Sequence, residues 1–99
     1  MIRHIFLAKV TASVPDQLIE EWIAAINGLQ TQIPELITIT AGRRASESMA
    51  PYDIAVVADF ASMQDWAVYR DHPAHQDVKL RLTDKIVAAG SRATIQIAQ

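Results

Sequence analysis

The segment YRDHPAHQ, Tyr69 to Gln76, puts one tyrosine and two histidines within eight residues. A neutral imidazole is the ordinary side chain that takes up a proton near pH 7. A phenol beside it can donate to a carbonyl oxygen. Tyr69 and His75 therefore form a pair suited to removing a proton next to a carbonyl, as in enolisation or aldol chemistry. Pro73 fits the first turn of a helix, where its missing N–H is not needed. His75 then lies in that turn, and the positive end of the helix dipole disfavours imidazolium. The spacing 75, 78, 82, 86 also places His75 on the stripe of Val78, Leu82 and Ile86. A polar ring there needs a partner, and Tyr69 is the candidate.

Plainer readings stand beside these. A histidine on an apolar stripe is commonly a satisfied core or capping group. His72 reads as the cap or hinge of a broken helix. His72-x-x-His75 is also the spacing of a metal pair, but it offers two ligands and no supporting carboxylate, so no metal site is assigned. The pair Arg43-Arg44 suits either an anionic group or a solvated strand end.

The elements that must position these groups follow from periodicity. Residues 2–10 alternate as a strand, with Ile2, His4, Phe6, Ala8 and Val10 on one face and Arg3, Ile5, Leu7 and Lys9 on the other. Ser13 offers an N-cap with Asp16 three residues on and Pro15 in the first turn. Leu18, Trp22, Ala25, Ile26, Leu29 and Ile33 then mark an amphipathic helix that ends around 28–33, before Pro34. A β-branched strand is predicted over 36–43, a loop over 44–51 and a third strand over 52–60. Ser62 and Asp65 start a second helix carrying Met63, Trp66 and Ala67. Asp71-His72-Pro73 breaks it. The helix resumes over 73–88, with Ala89 completing its stripe and Gly90 as its C-cap. Residues 91–98 form the last strand.

The order βαββαβ predicts an α+β ferredoxin-like plait, with strand order 4-1-3-2 and the second helix broken at His72-Pro73. Strands 1 and 3 are apolar on both faces, with Ile5, Leu7, Ala55 and Val57 on one and Phe6, Ile54, Val56 and Phe60 on the other. Helices cover one face only, so a partner subunit is expected on the second, as a homodimer.

Composition bounds the function. The 99 residues, 51% of them apolar, predict one domain over 1–99 with one core. A net charge of −2 without a basic face argues against nucleic acid or anionic membrane as partner. The absence of cysteine excludes a disulfide scaffold, a thiol nucleophile and a thiolate metal site. No segment approaches the roughly 20 apolar residues of a membrane span. MIRHIFLAKV, interrupted by Arg3, His4 and Lys9, is not a signal peptide. A cytoplasmic protein is expected.

MIRHIFLAKV, YDIAVVADF and YRDHPAHQ together resemble the stress-responsive A/B barrel (Dabb) domain over nearly the whole chain. The HPAH element, with a tyrosine three residues before its first histidine, is the most specific part. The resemblance implies ferredoxin-like dimers forming a dimeric α+β barrel. It also implies kinship with plant polyketide cyclases, which close a linear polyketide thioester by an intramolecular aldol reaction without a cofactor. Carried over by motif position, His75 is the base, Tyr69 the catalytic tyrosine and His4 a cavity histidine. Trp22 matches a large aromatic of that branch. Ile26 stands where the branch has a second cavity tyrosine. Two functions are thus expected as alternatives. One is a cofactor-independent cyclase or isomerase whose cavity holds His4, Phe6, Trp22, Ile26 and Val56 beside the His75–Tyr69 pair. The other is a non-catalytic binding module with the same barrel. Related plaits also include monooxygenases and lactone isomerases.

Overall fold

A computed structural model describes residues 1–47 and 51–99. Strands β1 (Ile2–Ala8), β2 (Thr38–Arg43), β3 (Ile54–Phe60) and β4 (Ala93–Ala98) form one antiparallel sheet in the order β2-β3-β1-β4. Helix α1 (Asp16–Gly28) runs into a 3₁₀ turn over Leu29–Thr31. Helix α2 (Met63–Asp71) is followed by α3 (Pro73–Val78), a π-helical turn over Lys79–Thr83 and α4 (Asp84–Ile86). This is the predicted βαββαβ plait with its second helix broken at His72-Pro73. Among the described residues no helix is long and apolar enough to cross a membrane.

Register decides which strand residues face the helices. His4 lies opposite Ala58, Phe6 opposite Val56 and Ala8 opposite Ile54. Their side chains point inward with Ile39 and Ala41 of β2, which pair with Ala58 and Val56. From α1, Ile19, Trp22 and Ile26 enter the core, followed by Leu29 and Ile33. From the broken helix, Tyr69, Val78, Leu82 and Ile86 do the same. Strand β2 lies at the edge of the sheet. Two of its outward N–H groups donate to side chains of the first helical segment, Ala41 to Asn27 at 2.9 Å and Ile39 to Gln30 at 3.0 Å. Those bonds close an edge that would otherwise invite pairing.

The opposite face of the sheet carries Ile5, Leu7, Ala55, Val57, Ile95 and Ile97, and among the described residues no helix covers it. Ile95 is 56% exposed. The charged residues there satisfy each other. Arg3 donates from Nε and an η nitrogen to the two Asp59 oxygens at 2.8 and 3.1 Å, and Thr38 donates to Asp59 at 3.1 Å.

Several boundaries differ from the sequence reading. Pro15, not Ser13, holds the N-cap of α1, and no side chain caps it. Ile19, rather than Leu18, is the buried residue of the first turn. The sheet pairing of β1 stops at Ala8, and Val10 makes an isolated bridge to Val87. Strands β2, β3 and β4 each start two residues later than predicted. The last helical segment ends at Ile86, because Val87 is extended. Gly90 is therefore not a helix cap. It sits at φ 72° in a turn closed by Ser91 N–H donating to the Ala88 carbonyl, and Ala89 is exposed. Of the loop predicted over 44–51, residues 48–50 lie outside the described residues.

Candidate functional site

The helix break is a set of hydrogen-bond substitutions. Ser62 caps α2 by accepting from Asp65 N–H at 3.1 Å, as the sequence predicts. At the far end His72 is extended, at ψ 136°, because the following proline disfavours helical geometry. His72 Nδ1 accepts from Ala74 N–H at 3.0 Å and so caps α3. In an unbroken helix that N–H would have donated to the carbonyl of Arg70. The Arg70 carbonyl is thereby left for others. His75 Nδ1 takes it at 3.0 Å and Gln76 Nε2 at 2.7 Å.

That contact sets the state of His75. A carbonyl only accepts, so Nδ1 carries the hydrogen and Nε2 keeps its lone pair. The expected hydrogen bond from His75 to Tyr69 is not formed. The two rings pack instead, with centroids 4.4 Å apart and planes at 40°. The helix break supplies the better-placed acceptor. His75 is half-buried, and its pKa is lowered, chiefly by desolvation, against the opposing effect of the Arg70 carbonyl. The ring is thus neutral at pH 7.

Tyr69 is buried between Phe60, His4 and His75. Burial raises its pKa, so the hydroxyl stays protonated. Among the described residues that hydroxyl has no hydrogen-bond partner, yet no buried side-chain nitrogen or oxygen lacks one. It therefore opens onto free space.

His4 has the opposite tautomer. Trp66 Nε1–H, which can only donate, points to His4 Nδ1 at 3.3 Å, and Gln96 Nε2 lies 2.9 Å from the same atom. Nδ1 accepts, so the hydrogen sits on Nε2. Burial, assisted by the nearby His75, lowers the His4 pKa to about 4.

These groups share a cavity of about 340 Å³ between sheet and helices. His4, Phe6, Trp22, Ile26, Val56, Tyr69 and His75 all line it. Every residue that the sequence assigned to the site is brought into this one wall. His72, tied up as a cap, is not part of it. Sequence reasoning missed Trp66, Arg70, Lys79, Thr83, Arg92 and Thr94. Trp66 could have been found three residues before Tyr69 on the same helix face. Thr94, and Gln96 behind His4, required the register of β4 against β1. The π-helical turn at 79–83 carries Thr83 to the cavity floor, where its oxygen accepts from Trp22 Nε1–H at 3.0 Å. Arg43 pairs with Asp16 at 3.3 Å, away from this cavity. Among the described residues no three histidine, aspartate or glutamate side chains converge as metal ligands.

The family model of the stress-responsive A/B barrel domain matches residues 2–95. The chain belongs to the Dabb family. Among solved structures, a protein of Thermobifida fusca is 31% identical, with 99% of this chain and 90% of that chain covered and a TM-score of 0.86. It is described as dimeric, ferredoxin-like and of unknown function. An Arabidopsis thaliana protein is 23% identical over 100% of this chain and 95% of that chain, with a TM-score of 0.84. A hydroxynitrile lyase from Passiflora edulis is 18% identical over 97% of this chain and 90% of that chain, with a TM-score of 0.82. At those identities the last two speak for the fold alone. No curated protein matches the sequence.

Proposed function

We propose that this Dabb protein is a homodimer whose cavities bind a small hydrophobic carbonyl compound, and that it acts on that compound as a cofactor-independent cyclase or isomerase. One observation carries the reading. The Arg70 carbonyl holds His75 in the tautomer whose Nε2 is a base, in a cavity that also holds two neutral donors, the Tyr69 hydroxyl and His4 Nε2–H. His75 Nε2 takes a proton from the carbon next to a carbonyl. Tyr69 donates to the oxygen as negative charge develops there, and His4 adds a second donor. The enolate carbon then attacks a second carbonyl of the same molecule, or is reprotonated elsewhere. The proton on His75 returns to the product.

The dimer reading rests on the uncovered apolar face and on the dimeric state given for the Thermobifida fusca relative. The paired Arg3 and Asp59 can enter such an interface without leaving an unmatched charge.

The stacking of Tyr69 on His75, in place of a hydrogen bond, favours a second reading, in which the same cavity binds without turnover. A linear poly-β-keto thioester separates the two, with cyclised product read by absorbance and mass. Under the enzyme reading His75→Ala loses about 10²–10⁴ in rate. Tyr69→Phe keeps the ring and loses less. Equal rates for wild type and His75→Ala would end the base assignment. Binding of the thioester with no product from wild type would establish the binding module.

A further inference from the structure

Resting on that reading of the cavity, we infer that its ligand is a keto acid, with the carboxylate held by Lys79 and Arg92 at the end of the cavity away from His4. Three cations line the cavity, Arg70, Lys79 and Arg92, and no aspartate or glutamate does among the described residues. Arg70 is matched by Asp71, and its guanidinium lies 5.1 Å from the Trp66 ring centre. Lys79 and Arg92 differ. Both turn to one carboxylate, Asp84, with Lys79 Nζ 3.2 Å from one oxygen and Arg92 on the other. Arg81, the next cation along the helix, has its own acid in Asp77. Two positive charges share one negative charge at the cavity wall, a local positive excess that favours an anionic group on what binds there.

The placement defines a two-ended ligand. Arg92 lies just before β4 and shares the alternation of Thr94 and Gln96, which pair with Phe6 and His4 on the cavity face. From Arg92 to Gln96 is roughly 13 Å along the strand. Lys79 stands one turn beyond His75, about 6 Å along the helix. Phe6, Val56, Trp22 and Ile26 supply an apolar middle. A carbonyl at the His75–Tyr69 end, an apolar spacer and a carboxylate at the Lys79–Arg92 end satisfy all three regions.

The probe is 6-oxo-6-phenylhexanoate, compared with its methyl ester. Binding is read by calorimetry and by the fluorescence of Trp22 and Trp66. The acid should bind wild type about ten-fold more tightly than the ester, a difference of about 1.4 kcal/mol. In Arg92→Gln and, separately, in Lys79→Gln the acid should lose most of that advantage while the ester binds as before. Tyr69→Phe should weaken both compounds and leave their ratio intact. Equal affinity of acid and ester for wild type would overturn the carboxylate subsite and leave the carbonyl cavity standing. An acid preference that survives both cation variants would overturn it too. Failure of both compounds to bind at millimolar concentration would overturn the cavity reading and this inference together. If Arg92→Gln does not fold, Lys79→Gln decides.

Discussion

The burial of His4 makes a quantitative prediction about acid stability. The folded protein keeps this ring neutral down to about pH 4, whereas its ordinary value is 6.5. Only 8% of the residue is exposed, although its ring lines the cavity, so the figure that follows is an upper one. The unfolded chain takes the proton near pH 6.5 and the folded chain refuses it, so acid favours unfolding. The stability tied to the neutral ring is whole above pH 6.5. It drains as the pH falls and is lost by about pH 4, a total of about 3 kcal/mol at roughly 1.4 kcal/mol per pH unit. The perturbation is His4→Asn, whose Oδ1 can still accept from Trp66 and Gln96 but does not titrate. Urea unfolding, followed by circular dichroism at fixed protein concentration, compares the variants from pH 7 to about pH 4.5. Wild type should lose about 2 kcal/mol more than His4→Asn over that range. His75 is also lowered and has the same sign, but it is present in both proteins. Asp59 and Asp84 titrate below the ordinary carboxylate value and act only in stronger acid. Parallel pH profiles for the two proteins would refute the burial-lowered pKa assigned to His4.

Thr83→Val keeps the shape of the side chain but leaves Trp22 Nε1–H buried without an acceptor. It should cost about 1–3 kcal/mol by chemical denaturation, and a loss below about 0.5 would refute the bond. His72→Ala removes the α3 cap and should cost about 1 kcal/mol, with the denaturation midpoint as the measure. Ile95→Lys puts a charge on the uncovered sheet face. It should raise the dimer dissociation constant at least about ten-fold in sedimentation equilibrium, and an unchanged dimer would place the interface elsewhere.

What was legible in the sequence was what periodicity and local chemistry control. The two-faced apolar pattern of IRHIFLA and IAVVADF carried the plait and its uncovered face. Ser62 announced the start of α2, and His72 and Pro73 its break, because caps and prolines act within a few residues. His75, Trp22, Ile26, Phe6 and Val56 each lie on a readable stripe, but it was the resemblance to the Dabb family that joined them to Tyr69 and His4 as one site. The Ser13 cap failed because Pro15, extended, already serves as the boundary. Gly90 misled because a glycine at positive φ suits a turn as well as a helix end. Arg92 and Gln96 were out of reach, since a residue on β4 meets one on β1 only through the register, across nearly the whole length of the chain. The partner of His75 was illegible for another reason: it is a main-chain carbonyl, and no side-chain pattern encodes it.

That carbonyl has a consequence for how the site responds to change. An imidazole steered by a carboxylate loses its guide when the carboxylate is protonated or mutated, and gains basicity from the negative charge. Here the guide has no charge and no ionisation of its own, so the orientation of His75 is the same in acid and alkali. An alanine scan would pass over it, because every residue has a carbonyl at that position. The way to weaken it is chemical: replacing Asp71 with its α-hydroxy acid turns the Arg70 carbonyl into an ester, a poorer acceptor. By the same reasoning, substitutions at 72 or 73 should reorient the His75 ring although neither residue touches it. They decide whether the main chain of Arg70 is spent inside a helix or left to hold that ring.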